Sequence, residues 1–425
     1  MSLLIYNIRK IVQTEQQPVV FRRGAEMSIL NCVDNAYLWI KGDRIHQFGE
    51  YSEAIHADIR AQSPDIDELD AEGGMLFPSW VDAHTHMVYA GSREGEFVDR
   101  INGLSYEEIF SRGGGILNSA KRLRDASIEE LTELALRRLN EIVLLGTGAV
   151  EIKSGYGLST DSELKMLRVI RELKSISPIE IKATFLGAHA VPAEFRNNKT
   201  GYIDHLINDM MPRIAEEGLA DYCDVFCEQN YFTKEESIRI LDAGKKFGML
   251  PKVHAEQLSH SGGIEAGVAC GAASVDHLEF ADDNDLNLLS KSTTIPVLLP
   301  GAQLFLGLKN PPARKMIQAN LPVALSTDFN PGSCPSGNMN QMVSLACILY
   351  KMTPEEAINA ATINSAAAIG ISDTHGSIAI GKKANFFITT PIPSVAFLPY
   401  YFGQNCISTI VLNGMIHSFD QTKDA

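Results

Sequence analysis

The chain has 425 residues, of which 45% are hydrophobic, and a formal net charge of −15. This length can hold one barrel of about 250 residues and a smaller unit, and the apolar content is that of a globular protein with a sizeable core. The negative charge argues against nucleic acid and against an anionic membrane surface as partners, because both attract basic patches. An anionic ligand must therefore be held by local positive groups.

Cysteine usage and the N-terminal sequence indicate the compartment. Seven cysteines are scattered along the chain, an odd number that does not suggest a disulfide framework, and reduced thiols are typical of the cytoplasm. The start is charged too early for a signal peptide, and no apolar run reaches membrane-spanning length. We expect a soluble, cytoplasmic protein in which residues 1–30 and the tail after Phe419 are poorly ordered.

Short extended runs separated by turn residues occupy both ends of the chain. Residues 38–45 form two such runs around a Gly42-Asp43 turn, and similar extended runs occur at 376–381 and 410–416. The simplest arrangement is one small β-sandwich domain built from both termini. Residues 1–77 would be its N-terminal part and residues 373–425 its C-terminal part.

Between these ends, residues 78–372 alternate apolar strands with amphipathic helices, the pattern of a parallel sheet with crossover helices. Strands are predicted at 81–86, 148–153, 181–188, 222–228, 250–254, 274–278, 295–299 and 323–328. Helices are predicted at 128–145, 162–175, 202–217, 234–247 and 262–269. Eight such units predict an α/β fold with a closed (β/α)8 TIM-like barrel. An open doubly wound sheet is the competing arrangement, but no G-x-G-x-x-G follows a first strand.

Barrel enzymes carry their chemistry at the carboxyl ends of the strands, and five of the eleven histidines are predicted to lie there. These histidines, with one aspartate that ends the eighth strand, are His84, His86, His189, His254, His277 and Asp328. The two-residue spacing of His84 and His86 points both imidazoles to one face of an extended strand.

A single divalent ion explains this concentration of potential ligands. His84, His86, His254 and Asp328 would form a three-histidine, one-carboxylate site that leaves one position for water. Taken one at a time, each residue is equally well explained as a hydrogen-bonded core histidine or a turn-capping aspartate. Such separate explanations do not account for all four residues lying at strand ends together.

A second ion is not predicted. Barrel hydrolases with two ions often bridge them with a modified lysine on strand four, and the predicted strand four has no lysine. Lys153 lies on strand two and is interpreted as a scaffold residue or as one that supports the ligands from behind. Cys223 and Cys227 alternate with charged residues and are interpreted as packing residues.

Five stretches of the chain together resemble the amidohydrolase superfamily. They are residues 82–86 with Arg93, 151–158, 186–192, 254–258 and 326–333. Within the superfamily the resemblance is to the enzymes that open 4-imidazolone-5-propanoate to N-formimidoyl-L-glutamate in histidine degradation, and it runs from about residue 30 to the C terminus. It implies a hydrolase of a cyclic amide C–N bond, one divalent or trivalent metal ion, zinc or iron, per subunit, and a homodimer.

The resemblance also implies roles for individual residues. Its metal ligands fall on the four residues already selected at the strand ends. Its substrate contacts fall on Arg93, Tyr156, His189, Gln257, Asn330, Gly332 and Ser333. The planar guanidinium of Arg93 can bind the substrate carboxylate through two parallel hydrogen bonds. The other interpretation of Arg93 is a surface ion pair with Glu94 or Glu96.

The expected reaction is a metal-assisted hydrolysis. The metal lowers the pKa of its bound water, so that hydroxide is available near neutral pH. We expect Asp328 to take the proton of that water and later to protonate the leaving nitrogen, while His277, with His189 as a second candidate, steadies the oxyanion. Gln257 can donate and accept hydrogen bonds at the lactam ring.

Two other functions stay open at this point. Purine and pyrimidine deaminases of the same superfamily typically carry a glutamate three residues after the strand-five histidine, where it shuttles protons to the leaving ammonia. This chain has Gln257 there, and an amide cannot carry that proton. A catalytically inactive metal-binding scaffold is the other alternative, which the intact ligand set together with Arg93 and Tyr156 disfavours.

Overall fold

The structure, a computed structural model, describes residues 2–17, 19–104, 108 and 114–417. Its strands in chain order are β1 (Ser2–Val12), β2 (Cys32–Lys41), β3 (Arg44–Glu50), β4 (Asp67–Asp70), β5 (Met75–Pro78), β6 (Trp80–Thr85), β7 (Thr147–Lys153), β8 (Glu180–Ala188), β9 (Tyr222–Cys227), β10 (Leu250–Ala255), β11 (Ser274–His277), β12 (Ile295–Leu298), β13 (Ala324–Leu325), β14 (Phe386–Thr389), β15 (Ile407–Leu412) and β16 (Met415–His417). Its α-helices are Glu53–Gln62, Glu94–Ile101, Ile116–Asp125, Ile128–Leu144, Thr160–Ile176, Lys199–His205, Met211–Glu216, Lys234–Lys246, Gly263–Cys270, Asp283–Leu289, Pro300–Leu306, Ala313–Gln318, Met339–Tyr350, Pro354–Asn359, Ser365–Ala368 and Phe397–Tyr400. Within the described ranges, no helix has the length and apolar character needed to cross a bilayer.

The two ends of the chain form one sheet, in the order β16-β15-β14-β5-β1-β2-β3, with β4 paired beside β1. Strand β1 lies in its interior, antiparallel to β2 and parallel to both β4 and β5. The expectation that residues 1–30 are poorly ordered is therefore wrong for residues 2–12, because backbone hydrogen bonds hold this strand on both sides. The predicted C-terminal part of the domain extends to residue 425, of which residues 418–425 lie outside the described residues.

This terminal sheet folds back on itself around an apolar core. The Asp43 carbonyl accepts a hydrogen bond from the Ala384 amide at 2.8 Å, and the Ile45 amide donates to the Lys382 carbonyl at 3.0 Å. Ile45 in β3 and Val411 in β15, from opposite ends of the sheet, consequently belong to the same buried cluster. This two-layer packing confirms the predicted β-sandwich built from both termini, while its limits at residues 77 and 373 stay a prediction.

Strands β6 to β13 form the second sheet, each pairing in parallel with the next in sequence. The sheet closes between its first and last strands, where Thr85 bridges Phe329 and the His86 amide donates to the Phe329 carbonyl at 2.9 Å. The closed (β/α)8 barrel is therefore confirmed, and the open doubly wound sheet is excluded. The eighth strand is shorter than predicted, since residues 326–329 leave the regular ladder to form part of the site described below.

Amphipathic helices cover the barrel where the sequence predicts them. The helix Lys234–Lys246 starts at a capping box between Thr233 and Glu236, buries Ile240 and Leu241, and packs on β9 and β10. The helix predicted at 202–217 is continuous over 199–216, with one wider turn at Leu206–Met210. These helices bury the outer surface of the barrel and leave the carboxyl ends of the strands for the site.

Candidate active site

Three imidazoles meet at the carboxyl end of the barrel. His84 and His86 lie at the end of β6, and His254 lies in β10. The Nε2 atom of His86 is 3.3 Å from that of His84 and 3.4 Å from that of His254. All three side chains are buried, and their nearest ligand atoms lie within 4.8 Å of one another.

Asp328 joins the three imidazoles from the last strand of the barrel. Its Oδ1 atom lies 3.6 Å from Nε2 of His84 and 3.5 Å from Nε2 of His86. Its backbone is left-handed, with φ +57°, a conformation that costs a non-glycine residue about 1–3 kcal/mol and recurs at functional sites. The Asp328 amide donates to the His84 carbonyl at 3.0 Å, so the strained turn is anchored to the strand that carries the histidines.

The three imidazoles are arranged as a group that could hold one metal ion. Tetrahedral zinc with Zn–N bonds of about 2.0–2.1 Å separates its ligand atoms by roughly 3.3–3.4 Å, which the observed Nε2–Nε2 distances of 3.3 and 3.4 Å match. Burial lowers the pKa of His84 and of His86 well below the ordinary value. The Lys153 ammonium lowers the pKa of His84 further, and the His189 imidazole lowers that of His86. Neutral imidazoles are the form that binds metal, and their lone pairs would repel one another without a cation between them.

A cavity of about 570 Å³ opens above the four ligands. Every predicted site residue lines it except His84, which is fully buried beneath it. The lining is His86, Arg93, Arg100, Gly103, Leu104, Ile116, Tyr156, His189, Phe226, Tyr231, His254, Gln257, Leu258, His277, Leu306, Leu308, Asp328, Asn330, Gly332 and Ser333. This mixture of apolar walls and a few converging polar groups is typical of a site for a small molecule.

Arg93 enters the cavity wall just before the helix Glu94–Ile101. Its Nε donates to Oε2 of Glu96 at 2.9 Å, and Oε1 of Glu96 accepts from the Gly115 amide at 3.0 Å. A Cβ atom on Gly332 would lie 2.2 Å from Nη1 of Arg93, so a larger residue there would displace the guanidinium from its observed position. The ion pair between Arg93 and Glu96, one of the two pairs considered from the sequence, is present. It holds the guanidinium in the wall of the cavity.

His189 is held in one tautomer by the loop after β7. Its Nδ1 atom donates to the Gly155 carbonyl at 3.1 Å, which leaves Nε2 as an acceptor in the neutral ring. Burial, reinforced by His254, lowers the pKa of His189 to about 3. Its ring lies 5.4 Å from that of His86 and 5.5 Å from that of Tyr156, measured between centroids. His189 is therefore a neutral acceptor beside the metal ligands.

His277 differs from His189, because its surroundings raise the pKa of its imidazole. Burial alone would lower its pKa, but Glu279, whose Oε1 lies 3.9 Å from Nδ1 of His277, and Asp328 outweigh burial and raise it above the ordinary value. Its backbone is left-handed, with φ +88°. The nearby carboxylates therefore favour the protonated form of an imidazole that lines the cavity.

The loop after Asp328 orients its carboxylate. The Ser333 hydroxyl donates to Oδ2 of Asp328 at 2.9 Å. Asn330 Oδ1 accepts from the amides of Gly332 and Ser333 at 2.7 and 2.8 Å, and its Nδ2 donates to the Asp328 carbonyl at 2.6 Å. In this structure Asn330 therefore shapes the loop, while Ser333 fixes the carboxylate.

Gln257 and Glu256 follow His254 but point differently. Gln257 lines the cavity. Glu256 has a left-handed backbone, φ +49°, and its carboxylate accepts from the amides of Gly263 and Ile264 at 2.7 and 2.9 Å, at the start of the next helix. The amide of Gln257, and not the adjacent carboxylate, is thus the group that faces a ligand.

Sequence reasoning missed the groups behind the histidines and one cation at the cavity. Asp276 Oδ2 lies 2.6 Å from Nδ1 of His84, and Asp224 Oδ2 lies 2.9 Å from Nδ1 of His254. Arg100 lines the cavity and donates to the Gly332 carbonyl at 2.9 Å. The available signal was an aspartate inside an apolar strand, because an unpaired charge there is strongly unfavourable and implies a partner.

The comparisons with known proteins agree with this geometry. The model of the amidohydrolase family matches residues 75–416. Imidazolonepropionase from Christiangramia forsetii is 53% identical, covering 98% of this chain and 100% of that protein. The chain belongs to the imidazolonepropionase branch of the amidohydrolase family. Imidazolonepropionase from Flavobacterium johnsoniae is 54% identical, with coverage of 98% and 100%, and that from Thermoanaerobacter pseudethanolicus is 41% identical, with coverage of 96% of each chain.

Solved structures share the fold of this family member at low sequence identity. A triazine hydrolase variant superimposes with a TM-score of 0.76 at 16% identity, covering 98% of this chain and 94% of its own. Guanine deaminase from E. coli gives a TM-score of 0.73 at 16% identity, covering 99% of this chain and 100% of its own. At such identities the likeness shows the barrel and terminal sheet alone, so the deaminase gives no support to deamination here.

Proposed function

We propose that the chain hydrolyses 4-imidazolone-5-propanoate to N-formimidoyl-L-glutamate, a step of histidine degradation. The observation that carries this proposal is one cavity shared by the three-histidine, one-aspartate set and by Arg93, in a chain 53% identical to an imidazolonepropionase. Neither alternative is favoured, since Gln257 cannot shuttle a proton as a deaminase glutamate does, and an inactive scaffold needs no lined cavity above its ligands.

A bound metal ion would be held by His84, His86, His254 and Asp328, and it would supply water whose pKa is lowered from 15.7 toward about 7. Asp328 is placed to take the proton from this water. Burial raises the pKa of Asp328 above its ordinary value, against the opposing effect of His277. Ser333 donates to Oδ2 of Asp328, while Oδ1 faces the Nε2 atoms of His84 and His86.

Attack on the ring carbonyl carbon produces an oxyanion, and His277 is the residue suited to stabilise it. Its pKa is raised, so it can donate a hydrogen bond or a proton to developing negative charge. His189 is neutral and accepts through Nε2, which suits a ring N–H of the substrate. We therefore propose His277, the first candidate from the sequence, for the oxyanion, and a separate substrate contact for His189.

Ring opening needs a proton on the leaving nitrogen. Asp328, protonated in the first step, is the nearest donor, and its return to the carboxylate form restores the site. The carbonyl carbon gains the water oxygen and becomes the α-carboxylate of the product, and the released nitrogen remains in the formimidoyl group. Arg93 binds the propanoate through its planar fork, and Gln257 and Tyr156 contact the ring.

The direct test uses purified, metal-loaded protein and the substrate in water enriched in oxygen-18. We expect loss of the imidazolone absorbance and a product with the mass of N-formimidoyl-L-glutamate carrying one heavy oxygen, because water supplies the attacking atom. Guanine and cytosine serve as comparison substrates. Ammonia release from either base that is faster than ring opening would replace this function with deamination.

Metal identity, compartment and assembly complete the proposal. Imidazole nitrogen and carboxylate oxygen suit zinc and iron alike, so we propose one ion of either kind per chain. Elemental analysis should give one equivalent, and two equivalents would contradict the single site. The family resemblance further leads us to propose a cytoplasmic homodimer, which light scattering at micromolar concentration would test.

A further inference from the structure

Five charged side chains lie packed together beneath the ligand histidines, inside the barrel. They are Glu151, Lys153, Asp224, Lys252 and Asp276, and none is more than 1% exposed. They come from four different strands, β7, β9, β10 and β11. Charges so completely removed from water are retained only when they are paired, so their arrangement has a purpose beyond filling the barrel.

Lys153 is the centre of this cluster. Its ammonium nitrogen lies 2.7 Å from Oε1 of Glu151, 2.8 Å from Oδ2 of Asp224 and 3.6 Å from Oδ2 of Asp276. Burial opposes the charged form of Lys153, but the three carboxylates outweigh it and raise its pKa above the ordinary range. Lys153 is consequently a fixed cation at working pH.

Two of the three carboxylates also contact metal ligands. The same Oδ2 atom of Asp224 lies 2.9 Å from Nδ1 of His254, and the same Oδ2 atom of Asp276 lies 2.6 Å from Nδ1 of His84. Carboxylates in this position fix the ring orientation of a ligand histidine and direct Nε2 toward the ion. One ammonium group therefore holds both of the carboxylates that orient His254 and His84.

Lys252 does not duplicate this arrangement. It contacts Glu151 and the Ala83 carbonyl, and it lies 4.0 Å from Asp276. Among the described residues, Lys153 is the lysine whose nitrogen lies within ion-pair distance of both Asp224 and Asp276. The outer oxygens of these carboxylates accept hydrogen bonds from the Ser274 hydroxyl and the His254 amide, so the Oδ2 atoms are the ones that Lys153 holds. Without the ammonium group the two Oδ2 atoms would repel each other in a medium of low dielectric.

We propose that Lys153 is the positioning residue of the metal site: it aligns His254 and His84 at once, through Asp224 and Asp276, so that affinity for the ion depends on a side chain that does not touch it. This inference rests on the proposed use of His84 and His254 as metal ligands. It makes specific the interpretation of Lys153 as a residue that supports the ligands from behind, because it names the two carboxylates through which Lys153 acts.

The test compares the wild type, Lys153→Met and Lys382→Met. Lys382 is a buried lysine of the terminal sheet, distant in the fold from the ligands, and its removal controls for the loss of a buried cation. We expect Lys153→Met to weaken cobalt binding about 10- to 100-fold in a chelator competition, and to change the visible absorption spectrum of the cobalt-loaded protein. Lys382→Met should keep both the wild-type affinity and the wild-type spectrum.

If Lys153→Met does not fold, Lys153→Gln replaces it, because the neutral amide can donate to one carboxylate but cannot act as a cation between two. The same loss of affinity and the same spectral change are then expected. Cobalt affinity within twofold of wild type, with an unchanged spectrum, in whichever variant folds would overturn the proposal. Failure of the wild type to bind cobalt at all would instead refute the metal site on which it rests.

Discussion

Two of the buried lysines, Lys153 and Lys382, lie in contrasting surroundings. Lys153 in the barrel is surrounded by carboxylates, which raise its pKa. Lys382 in the terminal sheet donates instead to the carbonyls of Ser372 and His375 and to the hydroxyl of Ser377, and burial lowers its pKa to about 8. The pKa of a buried lysine is thus raised in one region and lowered in the other.

The different partners of Lys153 and Lys382 indicate a different function for each lysine. In the barrel Lys153 pairs with Asp224 and Asp276, which contact His254 and His84. A change at Lys153 should therefore alter the orientation of these two histidines. In the terminal sheet the lysine bonds only to neutral oxygens of one short segment, residues 372–377, and ties that turn together. We therefore expect changes in the barrel to alter catalysis or metal binding, and changes in the terminal sheet to alter stability alone.

The largest expected effect comes from the barrel. Asp328→Asn keeps the shape of the side chain but cannot take up a proton, so kcat for ring opening should fall about 10²- to 10⁴-fold. Circular dichroism should show an unchanged fold. Asp283→Asn, an exposed aspartate paired with Lys315, is the matched control and should keep wild-type kcat. Retention of activity in Asp328→Asn would remove Asp328 from the proton transfers.

The next effect should appear in substrate binding. Arg93→Gln can still hydrogen-bond to Glu96 but loses the charged fork, so kcat/KM should fall about 10- to 100-fold, mainly through KM. An imidazolone without the propanoate tail provides the control substrate. The wild type and the variant should process it equally, whereas an equal loss on both substrates would show that Arg93 supports the fold and not the carboxylate.

A smaller effect, on stability alone, is expected in the terminal sheet. Lys382→Met leaves three oxygen acceptors without their donor, which should lower the free energy of unfolding by roughly 1–3 kcal/mol. Urea denaturation measures this change. Ring-opening activity per folded molecule should match the wild type, and a fall in kcat would show that the two regions are coupled more closely than their contacts indicate.

The smallest expected effect is a loss of folding stability at acidic pH. Burial, with help from Lys383, lowers the pKa of His375 to about 4. Because the folded-state pKa lies below the unfolded value of about 6.5, neutral His375 contributes stability that is complete above pH 6.5 and is lost as the pH falls toward 4. Between pH 7 and pH 5.5 this loss is about 1 kcal/mol. His375→Gln should lose that much less stability over the same interval, and identical losses in both proteins would refute it.

Much of the site followed from local sequence. Strand periodicity located all eight barrel strands to within a few residues, and residues at their ends converge because parallel strands of a closed barrel end on one face. His84, His86, His254 and Asp328 meet for that reason, and the same rule placed His189 and His277 at the cavity. The strand pattern also predicted that both termini contribute to one β domain.

Other features depended on contacts between residues that are distant in the chain. β1 is ordered because β2, β4 and β5 pair with it, which no property of residues 2–12 alone reveals. Asp276 contacts His84 across 192 residues, and Lys153 contacts Asp224 across 71.

Sequence alone determined which histidines and which aspartate lie at the strand ends of the barrel, since side-chain alternation and strand ends are local properties. Only the tertiary structure decided which buried charges pair beneath them, because pairing depends on the stagger of neighbouring strands and on distances of a few ångströms, over which the interaction of two buried charges changes most steeply.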